Sequence, residues 1–379
     1  MQTLVSAIFS DKSKFQLDYV PSQIRHRDEQ ISKIRDVLIP DLEQGVRPRN
    51  ILCVGSFGTG KTAVTLSICH TLPERVVSCY VNCSEQNTAN RIIRSALRIL
   101  GVPVKPGFSS DHYLDLFKNA VAQARSLILI LDEVDKLIER KNSDYEDLFY
   151  TLSRSVTNVV VILLTNRVSL ETTILTNLDS RTRDTFRLLR VEFGDYDAMQ
   201  LGDILKDRCR IGLNESAYDA GIIASIARVA YRNGMRARGV IDLTRKAGEI
   251  AEFHGHPIIT LDDVQAAEKE LTQQHDMEII QHLPPPTRAI LGYVSTYSPT
   301  SSIAYEWYRK YAPINGWGES NVTFHGYLKE LETMGLVRKE KHGLGRGRGI
   351  QMRLITPPEL SEIIKSSLGT LTHTQFPNM

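Results

Sequence analysis

The feature that most constrains the fold is a short apolar run, Ile51 to Val54, which passes directly into the glycine-rich sequence Gly55-Ser56-Phe57-Gly58-Thr59-Gly60-Lys61-Thr62. Glycines at this spacing let the backbone wrap around a phosphate group, so that the N–H groups of the loop and of the following helix face the anion. Lys61 would then contact the β- and γ-phosphates, and the Thr62 hydroxyl would bind Mg²⁺. An ordinary glycine-rich turn is the alternative, and the strand-to-helix context disfavours it.

A second apolar run, Leu127 to Leu131, ends in Asp132-Glu133-Val134-Asp135. A strand that delivers two carboxylates at its C-terminal end can give one to a metal ion and use the other to polarise an attacking water. We assign Asp132 to the metal and Glu133 to the water, because a helix-capping role fits Asp135 better. Together with the glycine-rich loop, this pair predicts binding of ATP or ADP with Mg²⁺.

A third run, Val159 to Leu164, ends in Thr165-Asn166. The short amide of Asn166 would lie where it can hold the nucleophilic water beside the γ-phosphate. Taken alone, an asparagine at this position is more often a residue that ends a strand in a turn. Asn166 is therefore a candidate catalytic residue whose assignment depends on its neighbours in space.

Short β-branched or aliphatic runs alternate with segments of helical periodicity between Asn50 and Phe193, which predicts an α/β fold with a parallel sheet and crossover helices. From Tyr196 to about Leu271 only helical periodicity remains. The stretch Thr272 to Pro286 ends in three prolines and is predicted to be a linker, because proline does not continue a helix. The predicted domains are therefore 1–194, 195–275 and 276–379.

The C-terminal region is predicted to form a winged helix-turn-helix, because three short helical segments precede two strand candidates, Leu336 to Lys341 and Ile350 to Leu354. The candidate recognition helix is Ser320 to Met334. Its periodicity buries Phe324, Tyr327, Leu328 and Leu331 and leaves outward the DNA-contact candidates Asn321, Thr323, His325 and Lys329. Arg346 and Arg348, which alternate with glycines between the strands, could enter a minor groove; a solvated turn is the alternative.

The charge distribution supports a nucleic-acid partner for this region. The whole chain has a formal net charge of only +2, but residues 280–357 contain ten basic and five acidic side chains. Such a local excess favours phosphate contacts with salt-sensitive affinity. The five cysteines lack the paired spacing of a zinc site and are expected to be buried, reduced thiols. We recognise no secretory leader in the sequence and no apolar run long enough to span a bilayer. We therefore expect a soluble cytoplasmic, nucleoid-associated protein with no membrane partner.

With these motifs the sequence resembles the AAA+ superfamily, and more closely the archaeal origin-recognition and initiator proteins, which are related to the cell-division-control and origin recognition complex subunits. The resemblance runs from Tyr19-Val20-Pro21-Ser22-Gln23-Ile24-Arg25-His26-Arg27 to the C-terminal winged helix. It implies that Ile24 and Arg27 lie near the base or ribose of the nucleotide. It also assigns Asn166 as sensor 1, the polar residue that ends a core strand beside the γ-phosphate.

The resemblance further assigns two arginines that act on the phosphates. Arg181, in Leu178-Asp179-Ser180-Arg181, resembles the arginine finger that approaches ATP held by a neighbouring subunit, and Arg183 is the competing choice. Arg238 resembles the sensor 2 arginine of the lid helix. Because one residue more than usual follows Gly234, Arg236 stays open as an alternative. The segment Ser84 to Ser126 is longer than a crossover between two strands requires. Its extra length resembles the helical insertion that initiators press against DNA; a helical elaboration without a ligand is the other interpretation.

The resemblance implies a function: recognition of double-stranded origin DNA and recruitment of the replicative helicase, together with other initiator subunits. Hydrolysis would be a slow switch, because an efficient transition state needs an arginine from across a subunit contact. A clamp-loader-like ATPase is the first rival, and the winged helix disfavours it. A DNA-binding transcriptional regulator with a vestigial nucleotide site is the second, and it is disfavoured by the presence of both Glu133 and Asn166.

Overall fold

The computed structural model describes residues 6–16, 19–74, 76–123, 126–140, 145–154, 158–343 and 350–368. The chain divides into two compact units, residues 1–264 and 265–379. Among the helices of the described ranges, none is both long enough and apolar enough to cross a bilayer. All five cysteines are free thiols, as predicted; four are buried and Cys69 is half-buried.

The first unit contains a five-stranded parallel sheet, as the sequence predicts. Its strand order is β2-β3-β4-β1-β5. The strands are β1 (Asn50–Val54), β2 (Val76–Asn82), β3 (Ser126–Asp132), β4 (Val159–Thr165) and β5 (Leu188–Glu192). All four pairings are parallel, with Asn82 opposite Asp132 and Val54 opposite Thr165. The carboxyl ends of β1, β3 and β4, which carry the three predicted motifs, therefore meet at one edge.

Helices cover both faces of this sheet. They are α1 (Asp28–Glu43), α2 (Lys61–His70), α3 (Ala89–Ile99), α4 (Ser110–Gln123), α5 (Val134–Ile138), α6 (Tyr145–Arg154), α7 (Leu170–Asn177) and α8 (Ser180–Thr185). Successive strand residues face opposite layers: Ile128 joins the core formed with α1 and α2, whereas Leu129 joins the core formed with α3, α4 and α6. Burial on both faces explains why the central strands β1, β3 and β4 are continuous apolar runs, whereas the edge strands β2 and β5 are partly exposed.

A helical layer follows the sheet, in agreement with the predicted loss of strand periodicity. It consists of α9 (Ala198–Gly212), α10 (Ala220–Arg232), α11 (Ala237–His254) and the beginning of α12 (Leu261–His282). Asp197 forms a capping box with Gln200 at the start of α9. The predicted linker at Thr272 to Pro286 is wrong, because α12 continues to His282 and Pro285 begins the next helix. Proline is tolerated in a first turn, so the prolines mark a start and not a loop.

The second unit has the element order predicted for a winged helix. Three helices, α13 (Pro285–Tyr297), α14 (Ser301–Tyr311) and α15 (Asn321–Thr333), precede the antiparallel strands β6 (Arg338–Gly343) and β7 (Ile350–Ile355), and α16 (Pro358–Leu368) follows. The core contains Phe324, Leu328 and Leu331 as predicted. Tyr327, predicted to be buried, is only half-buried. Burial of this face of α15 directs the opposite face to solvent.

Candidate functional site

The glycine-rich loop that links β1 to α2 requires glycine at three positions, for two different reasons. Gly58 and Gly60 have φ angles of 71° and 92°, in the left-handed region that L-residues with side chains rarely adopt. At Gly55 a Cβ atom would lie 2.4 Å from the Phe193 carbonyl oxygen, so a larger residue would displace β5. The loop therefore has the compact, open-backbone form that a phosphate group requires.

Lys61 and Asp132 place opposite charges at the loop. The Lys61 ammonium donates to the carbonyl oxygens of Gly55 (2.6 Å) and Ser56 (2.8 Å). Its burial lowers the pKa of Lys61, and the nearby Asp132 charge opposes that shift. The Thr62 hydroxyl donates to Asp132 Oδ2 at 2.7 Å. A hydroxyl and a carboxylate side by side are oxygen ligands of the kind that Mg²⁺ prefers.

Tyr80 is a member of this group that the sequence did not reveal. It lies on β2, next to β3, and its hydroxyl donates to Asp132 Oδ2 at 3.0 Å. Burial, and then the Asp132 charge, raise the pKa of Tyr80, so the hydroxyl stays protonated and orients the carboxylate. A tyrosine in a strand has no local pattern that distinguishes this role, and only the pairing of β2 with β3 brings it to Asp132.

Glu133 and Asn166 line the same cavity as Lys61, Thr62 and Asp132. Glu133 has a φ of 52°, an uncommon backbone conformation for a residue with a side chain. Its amide donates to Asp132 Oδ1 at 2.9 Å, which fixes the turn after β3. The Asn166 Oδ1 atom is buried and has no hydrogen-bond partner among the described residues. A buried polar atom of this kind requires a partner, such as a bound water or ligand.

The cavity itself has a volume of about 870 Å³. Outside the phosphate loop its lining includes an apolar group, here called the apolar wall, that is interspersed with polar residues such as Arg25, Asp207 and Arg210. The apolar wall consists of Tyr19, Val20, Pro21, Ile24, Ile204, Ile211 and Ile241. Of these residues only Ile24 was predicted to contact a nucleotide. The isoleucines of α9 and α11 show ordinary helical periodicity, so nothing local distinguishes them from core residues. An apolar wall beside a phosphate cradle suits a flat heteroaromatic base.

Arg27, predicted to lie near the base or ribose, instead faces the backbone of the loop. Only 6% of the residue is exposed, and it is not among the residues that line the cavity. Its guanidinium donates to the carbonyl oxygens of Thr59 (2.9 Å) and Gly194 (2.6 Å) and lies 3.8 Å from the centre of the Tyr196 ring. Burial lowers the pKa of Arg27. The contacts show a brace that joins the loop to the end of β5.

The two sensor 2 candidates have different surroundings. Arg236 precedes α11, and its Nε atom lies 2.8 Å from Asp195, whose pKa is lowered by this hydrogen bond. Arg238 lies in the first turn of α11 and lines the cavity, and no ion pair of its side chain occurs within the described ranges. Of these two arginines, Arg238 is therefore the one whose side chain is available to a ligand.

The two arginine-finger candidates lie on α8, outside the cavity-lining set. Arg183 donates to the Leu178 carbonyl oxygen at 2.9 Å and so closes the turn before its own helix. The Arg181 side chain is exposed, and no side-chain hydrogen bond or ion pair involves it in the described part of the chain. The exposed Arg181 side chain is therefore available to a neighbouring subunit, whereas the Arg183 side chain already makes a hydrogen bond within its own chain.

In the second unit, the outward face of α15 includes most of the predicted DNA-contact residues. Asn321, His325 and Lys329 are exposed, whereas Thr323 is half-buried and its hydroxyl pairs with that of Ser320, the N-cap, at 2.8 Å. Val322, which the sequence analysis did not single out, is 84% exposed on the same face. Arg346 and Arg348 lie outside the described residues.

Comparisons with known proteins agree with this geometry. A family model described as an AAA domain matches residues 45–174, and one described as a Cdc6 AAA+ ATPase-type lid domain matches residues 202–269. The ORC1-type DNA replication protein 1 of Sulfolobus acidocaldarius is 32% identical, with 95% of this chain and 92% of that protein covered. The ORC1-type DNA replication protein 1 of Methanothermobacter thermautotrophicus is 30% identical, with 90% and 92% covered.

Among solved structures, that of the Aeropyrum pernix ORC1 protein in complex with DNA is similar to this chain, with a TM-score of 0.72, 26% identity, and 96% and 97% of the two chains covered. The relatives match over almost their whole length, so the similarity extends through the sheet, the lid and the C-terminal unit. The chain therefore belongs to the family of ORC1/Cdc6-type AAA+ replication initiators.

Proposed function

We propose that this protein binds ATP and ADP, recognises double-stranded DNA at a replication origin, and helps to load the replicative helicase, with slow ATP hydrolysis as its switch. One observation carries the nucleotide part of the proposal: a phosphate loop, a paired hydroxyl and carboxylate, and an unpartnered amide oxygen all open into one cavity with an apolar wall. That combination suits a nucleoside polyphosphate and no simpler ligand.

In this proposal each residue of the cavity has one role. Lys61 contacts the phosphates, and Thr62 and Asp132 hold Mg²⁺, which supplies positive charge beside them. Glu133 polarises the attacking water and Asn166 orients it. Arg238 reports the nucleotide state to the lid, because it lies in the first turn of α11. The base packs against Ile24 and the apolar wall around it.

The placement of Arg181 supports slow hydrolysis by an isolated subunit. Since this arginine does not line the cavity of its own chain, one subunit alone lacks the guanidinium that stabilises the transition state. Another initiator subunit must supply it, so turnover is expected to depend on assembly. The nucleotide state of an isolated subunit would then persist long enough to act as a switch.

DNA recognition is assigned to α15. Asn321 and His325 reach base edges in the major groove, Thr323 contributes at its rim, and Lys329 contacts phosphate. The ORC1 protein of Aeropyrum pernix, which is similar over the whole chain, has been solved in complex with DNA. The wing arginines Arg346 and Arg348 would add minor-groove contacts, and the helical insertion α3–α4 a further one.

The test is a footprint of the full chain on genomic DNA with ATP, with ADP and without nucleotide. We expect a discrete protected site whose strength depends on the nucleotide. The double variant Asn321→Ala/His325→Ala should lose the site by roughly 100-fold in affinity while non-specific binding persists. His275→Ala, which removes an exposed histidine on α12, is the matched control and should leave the footprint intact.

Nucleotide binding is measured separately by calorimetry on the same preparations. Lys61→Ala should abolish uptake of ADP and ATP and with it the nucleotide dependence of the footprint. Protection spread at random over the DNA and suppressed by salt in every nucleotide condition would overturn origin recognition. Absence of ADP and ATP uptake by the wild-type chain would overturn the nucleotide assignment.

A further inference from the structure

A cluster of three potential metal ligands lies at the far end of α11 from Arg238. His254 is the last residue of α11, His256 follows after one glycine, and Asp263 lies in the first turn of α12. One ligand atom from each of the three residues lies within 4.8 Å of the other two. All three belong to the first unit.

The backbone between the two histidines explains why they face the same carboxylate. Gly255 ends α11 in the left-handed conformation, with φ 73° and ψ 21°. This conformation reverses the chain, so that the His256 ring returns to the side on which the His254 ring lies. The two ring centres are 5.3 Å apart. A residue with a side chain at 255 would strain that turn, although the space around it is open.

The Asp263 carboxylate is fixed by Thr260 and also faces both histidine rings. Oδ2 accepts from the Thr260 amide (2.9 Å) and the Thr260 hydroxyl (2.7 Å), which fixes the carboxylate in place. Oδ1 lies 3.4 Å from His254 Nδ1 and 3.1 Å from His256 Nδ1, and His256 Nδ1 is also 3.0 Å from Oδ2. Ligand atoms around a tetrahedral ion with bonds of about 2.0 Å are about 3.3 Å apart, which the two separations from Oδ1 match, and all three ligand atoms lie within 4.8 Å of one another.

Exposure distinguishes this cluster from a closed structural site. The Asp263 side chain is 1% exposed, whereas those of His254 and His256 are 48% and 39% exposed. The ion would therefore be held by one buried, oriented carboxylate and two imidazoles, with its fourth position open to water.

We propose that His254, His256 and Asp263 form a binding site for a divalent transition-metal ion such as Zn²⁺, which joins the end of α11 to the beginning of α12. The donor set of two imidazoles and one carboxylate favours this class of ion over Mg²⁺ or Ca²⁺. Competing thiols in the chain are poor ligands, because burial raises the pKa of Cys53 and Cys209 to about 12. The inference does not depend on the proposed DNA or nucleotide function.

The test uses the untagged full chain, freed of metal with a chelator and then titrated with Zn²⁺ or Co²⁺. We expect one Zn²⁺ bound per chain, a rise in melting temperature of about 5 °C at saturating Zn²⁺, and the intense visible absorption of tetrahedral Co²⁺. His254→Ala/His256→Ala should lose all three effects. His275→Ala, which removes a histidine that lies outside the cluster, should retain them.

Two measurements keep the outcome decisive. Circular dichroism shows whether the double variant has folded. If it has not, X-ray absorption at the zinc edge of the wild type reports directly whether two imidazoles and oxygen ligands surround the ion. The proposal would be overturned if the metal-free wild type bound less than one equivalent of Zn²⁺. It would also be overturned if the folded double variant gave the same Co²⁺ spectrum as the wild type.

Discussion

Substitution of Gly60 by alanine tests whether the shape of the phosphate loop is set by its contact with Tyr196. Alanine at φ 92° costs about 1–2 kcal/mol, because the left-handed region crowds a Cβ atom. In addition, that Cβ atom would lie 2.9 Å from the Tyr196 hydroxyl, and the next nearest atom is 3.9 Å away, on Arg27. Overpacking of this kind adds about 1–2 kcal/mol, so the expected loss is about 2–4 kcal/mol in the free energy of unfolding.

Two further variants separate the backbone term from the contact term. Gly45→Ala has nearly the same backbone strain, at φ 70°, but nothing lies within 4 Å of the new Cβ atom, so it should cost only about 1–2 kcal/mol. Tyr196→Phe removes the hydroxyl and keeps the ring beneath Arg27. Combined with Gly60→Ala, it should restore about 1 kcal/mol, which a double-mutant cycle detects as coupling.

The assay is urea denaturation followed by far-ultraviolet circular dichroism, together with ADP affinity. Both tryptophans, Trp307 and Trp317, lie in the second unit, so their fluorescence gives an internal control that should not change. The reasoning is refuted if Gly60→Ala costs no more than Gly45→Ala, or if Tyr196→Phe rescues nothing.

Three more predictions concern catalysis, the α8 arginines and pH. Glu133→Gln should keep ADP affinity but slow hydrolysis by on the order of 100-fold, and unchanged turnover would remove Glu133 from catalysis. Arg181→Ala should lower turnover only in assembled protein, by roughly 100-fold or more. Arg183→Ala should instead cost about 1 kcal/mol of stability, because its hydrogen bond to a carbonyl oxygen is lost. If Arg183 were the finger, Arg183→Ala and not Arg181→Ala would lower the turnover of the assembled protein. The hydrogen bond from Arg25 lowers the pKa of Asp207 below 3.8. Asp207→Asn should therefore remove at most about 1 kcal/mol of stability, as expected for a partly exposed pair; this loss should be complete above about pH 4 and should disappear as pH falls through the lowered pKa. A stability difference between wild type and variant that persists at low pH would contradict the ion-pair explanation.

The sequence by itself determined the strands and the chemistry at their ends. The central strands β1, β3 and β4 were identifiable because burial on both faces leaves a continuous apolar run, a local signal that needs no knowledge of neighbours. The phosphate loop was identifiable because its glycine and lysine spacing is local as well. The outward face of α15 followed from periodicity, since the apolar residues that fix its orientation are three and four apart.

Only the tertiary structure decided which distant residues meet. The order β2-β3-β4-β1-β5 brings Tyr80 and Thr62 to Asp132, and no pattern in the chain records that order. The tertiary structure likewise directs the Arg27 guanidinium towards carbonyl oxygens of the loop and not towards a ligand. The continuation of α12 past Thr272 was missed for a related reason: polar helical residues resemble loop residues until packing selects between them. Contacts between residues far apart in the chain depend on loop closure and on the fit of whole faces, and these are properties of the assembled core rather than of any single segment.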